Sequence, residues 1–293
     1  MRVTNHMMTQ QAIRNMSGSL EALADLQKRV SDGKNFHRVS EDPANATAAI
    51  NLRSSLRSAE SYLETAYTTQ DWMDATEFSL GQATGVLTNA ILLADEGIPD
   101  TLSAAERQSL AIEADALIDA TLDIVNAKHN GSYIFSGFSV HTEAFIKIDP
   151  NTIQFQGDSG VIEHAIAESQ RVAVNINGDA VFSPFFSALI GLRDALNADD
   201  SATVQASLSD LNAVLVDLTD VRTAVGGRQR QMDNAITRSE NAKQAILELL
   251  SAKENADMAE AIAALAEQET VYQSVLQAGN RIFQTPNLFS FLG

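Results

Sequence analysis

The chain has 293 residues, enough for two ordinary domains or one long molecule, and 38 Asp plus Glu against 20 Lys plus Arg give a net charge of −18. A surface that acidic repels phosphate backbones and anionic lipid heads, so neither nucleic acid nor a membrane surface is an expected partner. Apolar residues at 45% exclude disorder, 15 Gly and 5 Pro are too few for many short strands, and the absence of Cys removes disulfides, thiolate metal sites and thiol nucleophiles together.

The first residues, Met1 to Met7, contain no apolar stretch long enough for a secretory signal, and no later segment approaches the roughly 20 apolar residues of a membrane span. From Thr9 to Val30 the apolar residues Ile13, Met16, Leu20, Leu23 and Val30 keep the spacing of an amphipathic helix, followed by a polar break at Ser31–Glu41. Asp42 can accept from first-turn amides and Pro43 suits the first helical position, so a helix starts there. Its seam runs through Leu52, Leu56, Ala59, Leu63, Ala66, Gln70, Met73, Glu77, Leu80, Thr84, Leu87, Ile91 and Ala94. A repeat of 3.5 sustained that long is what helices wound about one another require. A helix from Pro43 to about Glu96 is on the order of 80 Å long, at 1.5 Å per residue. Gly97, Pro99 and Asp100 break it, and Ser103-x-x-Glu106 reads as a capping box opening a helix to His129, with Asn130-Gly131 as its stop.

The texture changes from Ser132 to Ser183. Short strands are expected at Tyr133–Phe135, Ala144–Ile148, Ile153–Gln156, Val161–Ile166 and Arg171–Ile176, with turns at Asp149-Pro150-Asn151 and Asn177-Gly178-Asp179. Ser183-Pro184 is expected to open a helix through Asn197. A second heptad run follows: Leu208, Leu211, Leu215, Leu218, Arg222, Val225, Gln229, Met232, Ile236, Ser239, Lys243, Ile246 and Leu250. Gly226-Gly227 inside it costs roughly 1 kcal/mol per Gly, which suggests close backbone packing or a bend. After a polar break at Ser251–Asp257 the last helix carries Met258, Ile262, Leu265, Tyr272, Leu276 and Phe283, and Pro286 ends it.

The two halves mirror each other about the β part. The expected fold is mainly α: an elongated, coiled-coil-like antiparallel bundle built from both chain ends, with a small β-rich domain inserted at the far end. Three domains follow. Residues 1–42 and 251–293 are terminal helices, 43–131 and 184–250 a long-helix rod, and 132–183 a β-rich insertion. The terminal helices are amphipathic but stand behind polar breaks, and isolated helices of that length are marginal in water. They gain far more by packing against many copies of themselves, so Ile13, Met16, Leu20, Leu23, Val30, Met258, Ile262, Leu265, Tyr272, Leu276 and Phe283 are the expected assembly interface.

No constellation of catalytic residues emerges, and no cofactor or metal is expected. Gly157-Asp158-Ser159-Gly160 matches a protease nucleophile loop only in letters, since about fifty residues of β character do not make an all-β enzyme. His6, His37, His129, His141 and His164 are scattered, without the close helical spacing of ligands. Asp194, Asp199 and Asp200 cluster near a helix end and are expected to face water rather than Ca²⁺.

Three stretches resemble the bacterial flagellins and their hook-associated relatives over essentially the whole length. They are Gln27–Gly33 running into Lys34–Pro43 and Leu52-Arg53-Ser54-Ser55-Leu56; Arg222–Gln229; and Asn255–Ala261 through Tyr272–Leu276, closing on Asn287–Leu292. Asp42-Pro43, Tyr133–Gly137 leading to Phe145, Ile153–Asp158, and Val174–Gly178 before Val181-Phe182 are most similar to the hook-associated branch at the distal hook–filament junction. The resemblance implies an extracellular structural subunit of the flagellum, cytoplasmic before export, passing unfolded through the flagellar type III channel. Its implied partners are a ring of like subunits, the proximal junction protein, flagellin, and a cytosolic export chaperone for hook-associated proteins. That chaperone would cover Leu276, Phe283, Leu288, Phe289, Phe291 and Leu292. A flagellin or minor filament subunit is the alternative within the family. A soluble coiled-coil scaffold is the alternative of another class, and explains the heptads but neither the β insertion nor the terminal pair.

Overall fold

The structure is a computed structural model that describes residues 5–284, with the side chains of 7–281. In chain order it contains α1 (Asn5–Asp32), α2 (Pro43–Gly97), α3 (Ala104–Val125), β1 (Lys128–His129), β2 (Ser132–Tyr133), β3 (Phe145–Asp149), β4 (Thr152–Phe155), β5 (Glu163–Ala167), β6 (Gln170–Ala173), α4 (Gly178–Asn197), α5 (Ser201–Glu254) and α6 (Met258–Gln284). The strands pair only with their sequence neighbours, giving three antiparallel hairpins. Two compact units result: a central unit, Ser58–Ala242, and a terminal unit made of the described parts of residues 1–57 and 243–293.

The mainly helical class is as the heptads demand. None of the thirteen seam positions from Leu52 to Ala94, nor the thirteen from Leu208 to Leu250, is exposed. In the central unit α2 and α5 run antiparallel. Tyr67 Oη donates to Glu240 at 2.6 Å, Gln70 Nε2 to Asp233 at 2.7 Å and Gln229 Nε2 to Asp74 at 2.8 Å. Where the seam carries Glu77 and Arg222 instead of apolar residues, the two form an ion pair, and Arg222 also donates to Thr84 Oγ1 at 3.2 Å.

The main core of the central unit lies where α3 and α4 join the long pair. Phe182 is fully buried, its ring 4.9 Å from Phe135 and 6.4 Å from Phe145. The guanidinium of Arg193, 5% exposed, donates to Pro150 O at 2.6 Å and Asn151 Oδ1 at 2.7 Å and pairs with Asp115 and Asp194, which fastens the β3–β4 turn to α4. The β5–β6 hairpin makes a second, smaller core, laying Ile166 and Val172 on Ala66 and Met73 of α2 and on Met232, Ala235 and Ile236 of α5.

Several boundaries differ from those expected of the sequence. The capping box at Ser103 and Glu106 forms, but α3 stops at Val125, and Asn130-Gly131 is the two-residue turn of the β1–β2 hairpin rather than a helix stop. Both residues have positive φ, 48° and 82°, which is what such a hairpin demands. Asn177-Gly178-Asp179 is not a turn between strands. Asn177 caps α4, its side chain accepting from the Asp179 amide, so the helix opens before Ser183-Pro184 and holds Pro184 within it. Gly178 sits so near Phe135 that a Cβ would come within 2.4 Å of its carbonyl oxygen, which a side chain would not survive. A Cβ at Gly226 or Gly227 would meet nothing within 4 Å, so close packing does not explain that pair. The polar break after α5 is shorter than expected, because the helix continues to Glu254.

In the terminal unit the two breaks are joined to each other. Lys34 and Asn255 form an antiparallel bridge, with Asn35 N donating to Glu254 O at 2.7 Å and Ala256 N to Gly33 O at 2.8 Å. The Glu254 carboxylate, 7% exposed, accepts from Lys34 Nζ at 3.1 Å and is 2.8 Å from Arg53 of α2. Burial raises its pKa, but hydrogen bonds and charge from Lys34 and Arg53 outweigh that and hold it below the ordinary value. Asp32 is lowered by hydrogen bonds from His37 and the Lys34 amide, Glu41 by the His37 amide, and Asp42 by Asn45.

Two measurements check this account. Phe182→Ala removes a ring from the densest part of the core and is expected to cost about 3–5 kcal/mol in urea unfolding, with helical content kept. Glu254 is depressed in the folded chain, so its contribution is full above roughly pH 4.3 and disappears as pH falls through the folded value. Glu254→Gln is therefore expected to speed amide exchange at Asn35 and Ala256 about tenfold at neutral pH, and to flatten their loss of protection in acid without abolishing it, since Asp32, Glu41 and Asp42 also titrate there. Equal exchange in both proteins at pH 7 would refute the role given to this carboxylate.

Candidate assembly interface

The terminal helices are not without an intramolecular partner: α1 and α6 pack against each other within the terminal unit. Their seam is unusual in what it contains. Along α1 Thr9, Ala12, Met16, Ser19, Leu23, Leu26 and Val30 are covered in a regular 3–4 alternation, with Arg29 beside them, and the two most buried residues are Ala12 and Ser19. Along α6 Ala261 is buried and Ala264, Leu265, Gln268, Tyr272, Val275 and Leu276 are half-buried. Gln268 Nε2 donates to the carbonyl and the hydroxyl of Ser19, both at 3.1 Å, which fixes the register by a polar contact.

The register divides the expected stripe in two. Met16, Leu23 and Val30 turn inward to α6, and Leu265, Tyr272 and Leu276 are half-buried on the facing helix. Ile13 and Leu20 remain 50% and 51% exposed, and Ile262 53%. Met258 at the start of α6 is exposed as well, as are Met7, Met8 and Val271, which the stripe did not include. The Phe283 side chain, and Leu288, Phe289, Phe291 and Leu292, lie outside the described residues. The most buried positions, Ala12, Ser19 and Ala261, are small and allow close approach, larger residues flank them half-buried, and Ile13, Leu20 and Ile262 stay about half in water.

The ends of this pair are firmly placed. Gly33 N closes the last turn of α1 on Arg29 O at 2.9 Å, and the Asp257 carboxylate caps α6 through the amides of Ala259 and Glu260 at 2.8 and 3.3 Å. Lys34, Arg53 and Glu254, which hold the breaks together, escape sequence reasoning. Each reads as one more surface charge, and 201 residues separate Arg53 from Glu254.

Most of the motifs set aside on sequence grounds have structural work. Asp158 of the Gly157–Gly160 stretch accepts from the Phe138 amide at 2.8 Å, the Ser139 hydroxyl at 2.8 Å and the Gly160 amide at 2.7 Å, bonds that hold its carboxyl below the ordinary value. His164 Nδ1 lies 2.7 Å from Thr69 Oγ1 under the β5–β6 hairpin, where burial pushes its pKa down. His129 stands edge-on to Trp72, and His37 bonds Asp32. Asp194 and Asp199 pair with Arg193 and Arg107, while Asp200 caps α5.

Residues 3–139 match the family described as the bacterial flagellin N-terminal helical region. The flagellar hook-associated protein 3 of Escherichia coli K12 is 26% identical over 252 residues, covering 81% of this chain and 77% of that protein. Its namesake from Salmonella typhimurium LT2 is 26% identical over 212 residues, covering 70% of this chain and 64% of its own length. Among solved structures, FlgL of Bacillus cereus superimposes with a TM-score of 0.61 at 21% identity, over 69% of this chain and 99% of that one. The hook-associated protein-3 of Legionella pneumophila gives 0.61 at 17% identity, over 69% and 96%. At such identities these two show a common fold. Over about two thirds of its length the chain thus shares the fold of solved hook-associated proteins, and in sequence it is similar to the flagellin N-terminal helical region and to hook-associated protein 3.

Proposed function

We propose that this structural, non-enzymatic chain forms the hook–filament junction of the bacterial flagellum, joining copies of itself into a ring through the outer faces of α1 and α6. The supporting observation is the composition of the α1–α6 seam. Its most buried positions are Ala12, Ser19 and Ala261, while the larger Ile13, Leu20, Met258 and Ile262 are left exposed on the same helix pair. Covering each of these half-exposed side chains with a neighbour is worth roughly 1 kcal/mol, and a ring repeats that gain at every subunit contact. In this reading the terminal helices meet like copies. The proximal junction protein lies on one side and flagellin on the other.

Export as an unfolded chain through the type III channel, under a cytosolic chaperone holding the C-terminal segment, belongs to the same reading. It is supported by the likeness to hook-associated protein 3 and by the run Leu288-Phe289-Ser290-Phe291-Leu292, too apolar to travel uncovered. A flagellin or minor filament subunit is the competing role. Purified flagellin extends its own seeds without limit, whereas a junction protein adds a limited layer, and its deletion leaves hooks bare.

Two outcomes are expected. Deleting residues 1–30 or 258–293 leaves the helical signal of the central unit and abolishes incorporation at hook ends, judged by antibody labelling in the electron microscope; loss of most helicity would overturn it. Ile13→Ser with Ile262→Ser costs no more than about 1 kcal/mol of unfolding free energy per site, since each side chain is already about half in water. Incorporation nonetheless falls about tenfold or more in a competition with the unaltered chain.

A further inference from the structure

Charge is divided unevenly between the two units. The terminal segments, 1–57 and 243–293, contain 11 basic and 11 acidic residues and are neutral overall. Ser58–Ala242 contains 9 basic and 27 acidic residues, so it carries the entire −18. Three of its nine basic residues are already committed to acids of the same unit. Arg107 and Arg193 are each 5% exposed and spend their donors on backbone carbonyls and on Asp199, Asp115 and Asp194, and Arg222 is half-buried on Glu77. The outward face of α2, α3 and α5 meanwhile exposes Asp95, Glu96, Glu113, Asp123, Asp210 and Asp217.

We propose that the central unit is an electrostatic brake on self-association: copies are drawn together by the neutral, apolar terminal unit and held apart by the acidic one, so that ionic strength sets how far free chains assemble. This rests on the reading that copies meet through α1 and α6. Like charges on two chains repel in proportion to the product of their charges, over a range fixed by the Debye length. That length is about 30 Å at 0.01 M salt and about 10 Å at 0.1 M. Burial of Ile13, Leu20, Met258 and Ile262 changes little over the same range, because a neutral apolar contact has no charge to screen. The attraction is therefore salt-insensitive and the repulsion salt-sensitive, and they reside in different parts of the chain.

The test is sedimentation velocity of the full chain at pH 7 in NaCl from about 0.01 to about 0.1 M. It is run beside a variant in which the six acids become amides: Asp95→Asn, Glu96→Gln, Glu113→Gln, Asp123→Asn, Asp210→Asn and Asp217→Asn. The apparent association constant of the natural chain should rise about tenfold or more across that range. The variant should associate more strongly at the lowest salt and respond less to added salt. Association that ignores salt, or a variant indistinguishable from the natural chain, overturns the brake and leaves the terminal interface standing. No association of either protein at any salt overturns both. Matched circular dichroism establishes that the variant is folded, and a triple variant at Asp95, Glu113 and Asp217 takes its place if it is not.

Discussion

A pair of helices has one shared seam, and whatever does not fit into it is left outside. In α1 and α6 that seam holds Ala12, Ser19 and Ala261, with Gln268 bonded to Ser19. These residues bring the backbones close and fix the register, but they supply little apolar burial. Part of the hydrophobic bulk, at Ile13, Leu20, Met258 and Ile262, stays exposed, while Met16, Leu23, Leu26 and Val30 of α1 and Leu265, Tyr272, Val275 and Leu276 of α6 are half-buried. The small residues at the contact fix which apolar positions stay exposed, and the proposed assembly surface is built on that register.

Register alone would not suffice if the pair were loosely attached to the chain that carries it. The breaks on either side close on each other through the Lys34–Asn255 bridge, with the Glu254 carboxylate drawing in one cation from the break and another from α2. A carboxylate 7% exposed is tolerable only with such partners, because an unpaired buried charge costs several kcal/mol. Lys34 and Arg53 keep much of their own side chains in water, which limits the desolvation cost to one member of the triad. Specific placement is what such an arrangement supplies. A second apolar patch here would have bonded without choosing a direction.

The long-range heptads were legible because their signal is redundant: twenty-six seam positions can tolerate Glu77, Arg222 and Gln70 and still specify one face. Short-range punctuation was less readable. Asn-Gly ends a helix or turns a hairpin with the same letters, and only the extended residues after Gly131 decide for the hairpin. Pro184 marks a helix start in most contexts, yet it lies within the first two turns of α4, where it interrupts little and Asn177 already supplies the cap. On α1, reading the large apolar residues as one assembly stripe merged two faces: Ile13 and Leu20 are one position past the seam residues Ala12 and Ser19, while Met16, Leu23 and Val30 are half-buried. Small residues give no hydrophobic signal, so a seam made of them is hidden from any scan that follows bulk. Glu254, Lys34 and Arg53 were hidden for another reason, since partners brought together by a mirrored chain have no local pattern.

Assembly of a strongly acidic chain looks paradoxical until the charge is located. If −18 were spread evenly, every contact between copies would bring like charge to like charge, and the apolar gain at four or five side chains would be opposed at the point of contact. The chain instead gives residues 1–57 and 243–293 equal numbers of each sign and concentrates the excess in Ser58–Ala242. Opposition and attraction then act at different distances: burial acts only at contact, and charge acts over a Debye length. Chains in solution feel the second before the first. In the proposed ring the contact force would be repeated at each neighbour while counterions screen the rest, so a composition that would keep single chains apart does not forbid it.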